Sequence, residues 1–223
     1  MTLGELAAAT GLDKSAVQRL VHTLVSIGYL ERCESGVAPG RKILDRSYDY
    51  LRSNPLVGSA IPVLDDLKSS IGERVDLLLF DDVEMIYAVR MQSKRSTSYT
   101  HFIGRRVPTF CSSGGRAVLA KLPREEVIDI LQRSNLRKYT PSTTTEVEKI
   151  LEVVEHARST GYAIAIEEIL VGEMSVSAAV LDAQNRPIGA IQVAASLADW
   201  EPEKFILRAG PLAATAAESL RQQ

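Results

Sequence analysis

Cysteine is nearly absent. Cys33 and Cys111 are the only two in 223 residues, which excludes a disulfide framework and makes the reduced cytoplasm the simplest setting. Histidine is scarce as well: His22, His101 and His156 are too scattered to give metal-ligand spacing, so no metal site is expected. A Cys111 nucleophile would need a histidine base, and although His101 is close in sequence, nothing completes a triad. Glu167-Glu168 would lie on an alternating strand with only one carboxylate inward, which argues against paired acid–base work. No catalytic residue is therefore expected, and the chain reads as a non-enzyme. Neither GxxxxGK[ST] nor G-x-G-x-x-G occurs, and no cofactor is expected. Long apolar runs are missing too. None approaches the ~20 residues that span a bilayer, and residue 1 leads straight into a helical pattern rather than a leader, so no membrane partner is expected. Finally, charge of one sign is missing. The net charge is −2, and residues 1–52 hold seven Lys/Arg against six Asp/Glu. The chain is no basic nucleic-acid coat, and local placement of charge carries more than the sum.

What is present begins with GLDKSAVQRLVHTLVSIGYL at 11–30. Gly11 ends a short helix over 3–9, capped by Thr2. Asp13 stands where an N-cap belongs, and Val17, Leu20, Val21, Leu24 and Ile27 follow at helical spacing. Gly28 is placed as a C′ residue before a strand from Tyr29. Two helices joined by a tight turn make a helix-turn-helix, closing around Leu6, Val17, Leu20 and Leu24. Lys14, Ser15, Gln18 and Arg19 occupy the first two turns of the second helix, where base-edge contacts are made; Arg suits guanine and Gln adenine. His22, a turn on, would meet phosphate or solvent. An ordinary amphipathic helix with a solvated polar face shows the same spacing. Ser35-Gly36 and Pro39-Gly40 are turn signals that read as a wing, with Arg41 and Lys42 set for phosphate contacts. Such a domain carries one more helix ahead of these two, and that first helix is missing from the sequence. A linker helix over 43–52 has Ile43, Leu44, Tyr48 and Leu51 on one side, a dimer contact or a packing face.

From residue 55 the pattern changes. A helix over 56–71 tolerates Pro62 at a kink or restart. Strands follow at 75–80 and 85–91, then a positively charged loop at 93–100 with Tyr99 near its end. Helices fit 116–122, 124–133 and 146–160, strands fit 162–169, 175–181 and 188–195, and a terminal helix fits 203–221. Hairpins interleaved with helices predict an α+β domain with a mostly antiparallel sheet. The expected division is 1–43, 44–54 and 55–223. Cys111-Ser112-Ser113-Gly114-Gly115 opens a helix, where free amides and the helix dipole favour an anion such as a carboxylate; a plain N-cap with glycines for close packing is the simpler reading of the same run.

TLGELAAATGLDKSAVQRLVHTLVSIGYLER resembles the DNA-binding domain of the IclR family of bacterial transcriptional regulators. GRRVPTFCSSGGRAVLAKLP and GYAIAIEEILVGEMSVSAAVLDAQNRPIGAIQVAAS resemble its effector-binding domain. The resemblance implies a winged helix-turn-helix, a linker helix, a GAF-like ligand domain, an operator of double-stranded DNA, and homodimers that pair into homotetramers. Carried over residue by residue, pocket positions fall on Ser113, Gly114 and Ser175. Ala165 replaces a pocket Asp, and Gln192 and Ala194 replace two pocket Ser, so the implied pocket is larger and less polar than one for glyoxylate or pyruvate. PTFCSSGGRA and DRSYDYLRS are closer to the branch controlling catabolism of aromatic acids. The expected effector is an aromatic or similarly bulky carboxylic acid. Ser112, Ser113 and the adjacent amides would hold its carboxylate, Gln192 and Ser175 its ring substituents, and Tyr99 or Met174 its ring. A ligand-sensing or oligomerisation module that has lost autonomous DNA binding is the alternative.

Overall fold

In the computed structural model, which describes residues 1–93 and 102–221, Thr2 opens α1 (Leu3–Thr10) with a reciprocal cap: its hydroxyl accepts from Glu5 N, and the Glu5 carboxylate accepts from Thr2 N at 2.8 Å. Asp13 caps α2 (Lys14–Ser26), accepting from Ala16 N at 2.9 Å. Gly28, at φ 79°, turns the chain into β1 (Leu30–Cys33), which pairs antiparallel with β2 (Gly36–Pro39) from Leu30 opposite Pro39 to Cys33 opposite Gly36. These pieces close around Val17, Val21 and Val37, with Leu6, Ala7, Val25 and Leu30 half-buried beside them. Leu20 and Leu24, expected in that core, are 52% and 36% exposed. The i, i+4 row Val17–Val21–Val25 faces α1 and the hairpin, and two short helices with one hairpin have surface to cover a single row. Arg41 and Lys42 are corrected too. β2 ends at Pro39, so both stand at the start of α3 (Lys42–Ser53) and not on the wing. Helix α3 buries no residue, and Ile43, Leu44 and Tyr48 are exposed.

The chain divides into two compact units, Met1–Pro55 and Leu56–Gln223. In the second, α4 (Pro55–Ile71) runs through Pro62 without a restart and buries one stripe: Leu56, Val57, Ala60, Leu64, Leu67 and Ile71. Then come β3 (Arg74–Asp81), β4 (Glu84–Met91), β5 (Arg106–Pro108), α5 (Ser113–Leu119), α6 (Arg124–Arg133), α7 (Val147–Thr160), β6 (Ala163–Ile166), β7 (Glu173–Leu181), β8 (Pro187–Ser196) and α8 (Pro202–Ser219). Among the described residues the six strands form one antiparallel sheet in the order β5-β4-β3-β8-β7-β6, and the α+β class holds. The helix expected over 116–122 begins at Ser113, because Ser112 caps it. The strand expected over 162–169 stops at Ile166, where Glu167 takes φ 55°.

Helix α5 lies on one face of this sheet, with Gly114 against Leu78 and Ala190, and Gly189 on the other face approaches Leu56 of α4. Register then decides what lies under α5. Arg90, Asp76, Gln192 and Ser177 stand side by side across β4, β3, β8 and β7. One rung along are Arg74, Ala194, Ser175 and Ala165. Residues two apart on a strand share a face, so this polar set all points toward α5.

Candidate functional site

In the first unit, α2 and the hairpin flank a groove of about 760 Å³ lined in part by Ser15, Gln18, Arg19, His22 and Arg32. The first four belong to the expected DNA face; Arg32, on β1, supplies the wing cation that Arg41 and Lys42 do not. Lys14 is exposed at the first position of α2. Ser15 Oγ donates to Asp13 at 2.7 Å and lies 3.4 Å from Arg19 Nη1. The chain Asp13–Ser15–Arg19 holds the guanidinium along the helix start, and these hydrogen bonds from Ser15 and the Ala16 amide keep the Asp13 carboxyl below its usual range. A polar helix face with Gln and Arg one residue apart, beside a basic wing residue, fits a major groove with the wing on the backbone.

In the second unit, a cavity of about 20 Å³ sits beneath the start of α5, lined by Tyr87, Ser112, Ser113, Ala165, Glu168, Glu173, Ser175 and Gln192, among others. Ser113 Oγ is hydrogen-bonded to Ser175 Oγ at 2.8 Å and to Ser177 Oγ at 2.7 Å. Ser112 Oγ donates to Pro108 O at 2.7 Å and accepts from Gly115 N at 3.2 Å. The start of α5 is thus capped from within at one amide: Ser112 Oγ and Gly115 N, two members of the expected carboxylate dock, are bonded to each other. Gly114 and Gly115 are there for close packing: a Cβ on Gly115 would lie 2.1 Å from Thr109 O. Cys111 is buried in the core, where burial pushes its thiol up to about 12, so it is no thiolate at neutral pH.

Met174 requires a correction. It is adjacent to Ser175 on β7 and so points to the opposite face, paired with Ala195 and away from the cavity. Ala194 is on the cavity's face but lines the neighbouring cleft of about 60 Å³, with Arg74 and Glu173. Tyr99 lies outside the described residues. Of the expected ligand residues, the fold brings Ser112, Ser113, Ser175 and Gln192 together at one cavity.

The charges around that cavity were not expected. Arg74 Nε is 3.1 Å from Asp76 Oδ2 and its Nη1 is 2.8 Å from Glu173 Oε2. Gln192 Nε2 is 3.5 Å from Asp76 Oδ2. The Arg90 guanidinium lies 4.2 Å over the Tyr87 ring, with Nε 3.2 Å from Asp76 Oδ1 but not aligned to bond it. The Arg90 side chain is 3% exposed, and its Nε, Nη1 and Nη2 all lack a hydrogen-bond partner, as do Arg74 Nη2 and Asp76 Oδ1. Burial raises the Asp76 carboxyl against the pull of Arg74 and Arg90; burial likewise lowers Arg90 and pushes the Tyr87 phenol up to about 12. Beside this cluster Arg116 grips both oxygens of Glu168, tying α5 to the segment after β6. One sequence signal existed for these residues: Arg74 and Asp76 alternate with apolar neighbours in RVDLLLFD, so two charges share one face of a buried strand.

A winged helix-turn-helix joined to a sheet domain with a buried polar cavity defines a DNA-binding regulator with a ligand domain. Residues 48–220 match the model of the bacterial transcriptional regulator IclR C-terminal domain, and residues 1–33 match that of the IclR helix-turn-helix domain. The chain belongs to the IclR family of bacterial transcriptional regulators. It is 25% identical over 224 residues to the Pca regulon regulatory protein of Pseudomonas putida, covering 100% of this chain and 77% of that one. It is 26% identical over 226 residues to the p-hydroxybenzoate hydroxylase transcriptional activator of Acinetobacter baylyi, covering 99% and 83%. A solved structure of the PobR inducer-binding domain from Acinetobacter, a double mutant in complex with 3-hydroxybenzoic acid, superposes with a TM-score of 0.66 at 26% identity, covering 73% of this chain and 95% of that one.

Proposed function

We propose that this regulator controls a catabolic operon in response to a small carboxylic acid, aromatic by preference. It acts in the cytoplasm as a homodimer or homotetramer on a double-stranded operator, and it is not an enzyme. The observation that carries the reading is the polar rung under α5. Burying hydroxyls, an amide and four charges on one sheet face of an apolar core costs several kcal/mol unless they are satisfied, and groups left unsatisfied around a cavity suit a polar ligand. The relatives whose names carry an aromatic acid support the choice of class. The N-terminal domain is read as 1–43, the linker as 44–54 and the effector domain as 55–223. Lys14, Ser15, Gln18 and Arg19 read base edges, and His22, Arg41 and Lys42 meet phosphate from α2 and the start of α3. Ser113, Ser175 and Gln192 contact the effector. An effector that favours one arrangement of the oligomer shifts DNA affinity by its differential affinity, about 1–3 kcal/mol.

Fluorescence anisotropy with labelled DNA from upstream of the chain's own gene tests this, with scrambled DNA as reference at fixed salt. Specific binding altered by one aromatic acid is the expected result, and Arg19→Ala should weaken specific binding while leaving acid binding intact. Equal affinity for scrambled DNA would overturn the operator reading in favour of a ligand-sensing module.

A further inference from the structure

We propose that Leu170, carried on a strap from Glu167 to Gly172, is the gate of the cavity beneath α5, and that small molecules pass between this cavity and the neighbouring cleft when the strap lifts. What enters rests on the effector reading above; the gate itself stands on the wall that the two spaces share.

The cavity of about 20 Å³ is closed on almost every side. Its lining residues are buried save for Ile169, Leu170 and Glu173, which are half-buried and lie in or beside the turn between β6 and β7. Two of these three, Leu170 and Glu173, also line the cleft of about 60 Å³. The partition between cavity and cleft is therefore made by those two residues. Glu173 is fixed: its carboxylate takes Arg74 Nη1 at 2.8 Å, and its backbone is paired with Ser196 across β7 and β8. Leu170 has an apolar side chain that no polar bond restrains, so it is the part of the partition free to move.

The strap is pinned at its ends and loose between them. Thr140 Oγ1 donates to Glu167 O, Thr143 Oγ1 donates to Glu168 O at 2.7 Å, and Arg116 grips the Glu168 carboxylate. At the other end Gly172 O accepts from Leu197 N at 2.9 Å. Among the described residues, the amides of Ile169, Leu170 and Val171 donate to no acceptor, and the one backbone bond to Leu170 O comes from Glu173 N at 3.2 Å. Val171 is 63% exposed. Both ends stand in the left-handed region, Glu167 at φ 55° and Gly172 at φ 79°. The Glu167 carboxylate latches them together, accepting from Gly172 N at 2.7 Å. Fixed ends, a sharp turn at each and unbonded amides between are the construction of a flap that opens locally while the fold stays intact. Opening bares the half-buried Leu170 side chain, and that apolar area sets its cost.

Ser175→Cys in a Cys33→Ser background puts a thiol on the cavity wall, and its rate of reaction with methyl methanethiosulfonate, a small neutral reagent, reads the gate without any effector. Leu170→Ala should raise that rate about tenfold, since less apolar area is bared on opening. Glu167→Ala, which leaves the cavity wall untouched, should raise it roughly fivefold by removing the latch. Cys111, buried in the core and not on the cavity wall, should stay equally slow in every variant. Melting curves report on folding, and Ala165→Cys on the same wall replaces Ser175→Cys if that variant does not fold. Rates unchanged by both strap substitutions, or Cys111 quickening in step with the cavity thiol, overturn the gate. Excess benzoate should slow labelling of the cavity thiol. Protection by benzoate with no effect of the strap substitutions overturns the gate and keeps the effector reading. Strap-dependent rates without protection keep the gate and overturn an aromatic acid as the occupant.

Discussion

Replacing Glu168 by Gln strands a cation beneath α5. Arg116 is 1% exposed, donates from Nε to Phe110 O at 3.0 Å, and holds both Glu168 oxygens with its two Nη atoms. Glu168 Oε2 also accepts from Thr144 N at 2.9 Å, so one carboxylate joins α5, the segment before α7 and the turn after β6. Removing one partner of a buried ion pair costs about 3–5 kcal/mol, because the other charge stays desolvated. Gln keeps the volume and one acceptor, which favours the lower end, about 3 kcal/mol. For a unit of this size each kcal/mol moves the melting temperature by about 2–4 °C, so a fall of roughly 6–12 °C is expected by scanning calorimetry. Arg116→Met/Glu168→Leu should regain part of that loss, since neither charge is then stranded, giving a large coupling in the double-mutant cycle. A single variant melting within about 2 °C of wild type, or single losses that simply add, would refute the reasoning.

Gly115→Ala should destabilise by about 3 kcal/mol or more, because the added Cβ meets Thr109 backbone atoms 2.1–2.6 Å away, whereas Gly114→Ala meets a Leu78 methyl at 3.3 Å and should cost about 1 kcal/mol or less by urea denaturation. Exposed Cys33 should react with a thiol reagent in the native protein and buried Cys111 only after unfolding; two fast thiols at neutral pH would contradict the packing around Phe110. Effector binding should take up protons. Asp76 faces Arg74, Arg90, Glu173, Tyr87 and Gln192 on the sheet, burial raises its carboxyl, and its protonated form frees positive charge for an anion. Affinity for an aromatic acid should therefore rise as pH falls through the raised titration of Asp76, with a binding heat that depends on buffer; a flat affinity and no proton uptake would refute it.

Local signals were legible. The Asp13 cap and the turn at Gly28 are written within a few residues, and each element stands where those residues place it. Core assignment in α2 was not, because the rows Val17–Val21 and Leu20–Leu24 are equally apolar and only the position of the hairpin chooses between them. Met174 was legible and missed: beside Ser175 on a strand, it could not share a cavity with it. Arg90 was beyond the sequence. Its rung neighbours Asp76, Gln192 and Ser177 lie on three other strands, and nothing local sets the register that aligns them.

That register also explains why the cavity is small while its walls are charged. About 20 Å³ holds roughly one water, far below the ~300 Å³ usual for a ligand pocket, so an aromatic acid has to enlarge the site as it binds. Serine bonds tie α5 to β7 beside the cavity, and Arg90, Arg74 and Asp76 keep buried atoms without a hydrogen-bond partner on the same sheet face. On the proposed reading, an acid that needs that enlargement favours the enlarged arrangement over this one. Differential affinity of that kind is the physical requirement for an effector to move a regulator between two states.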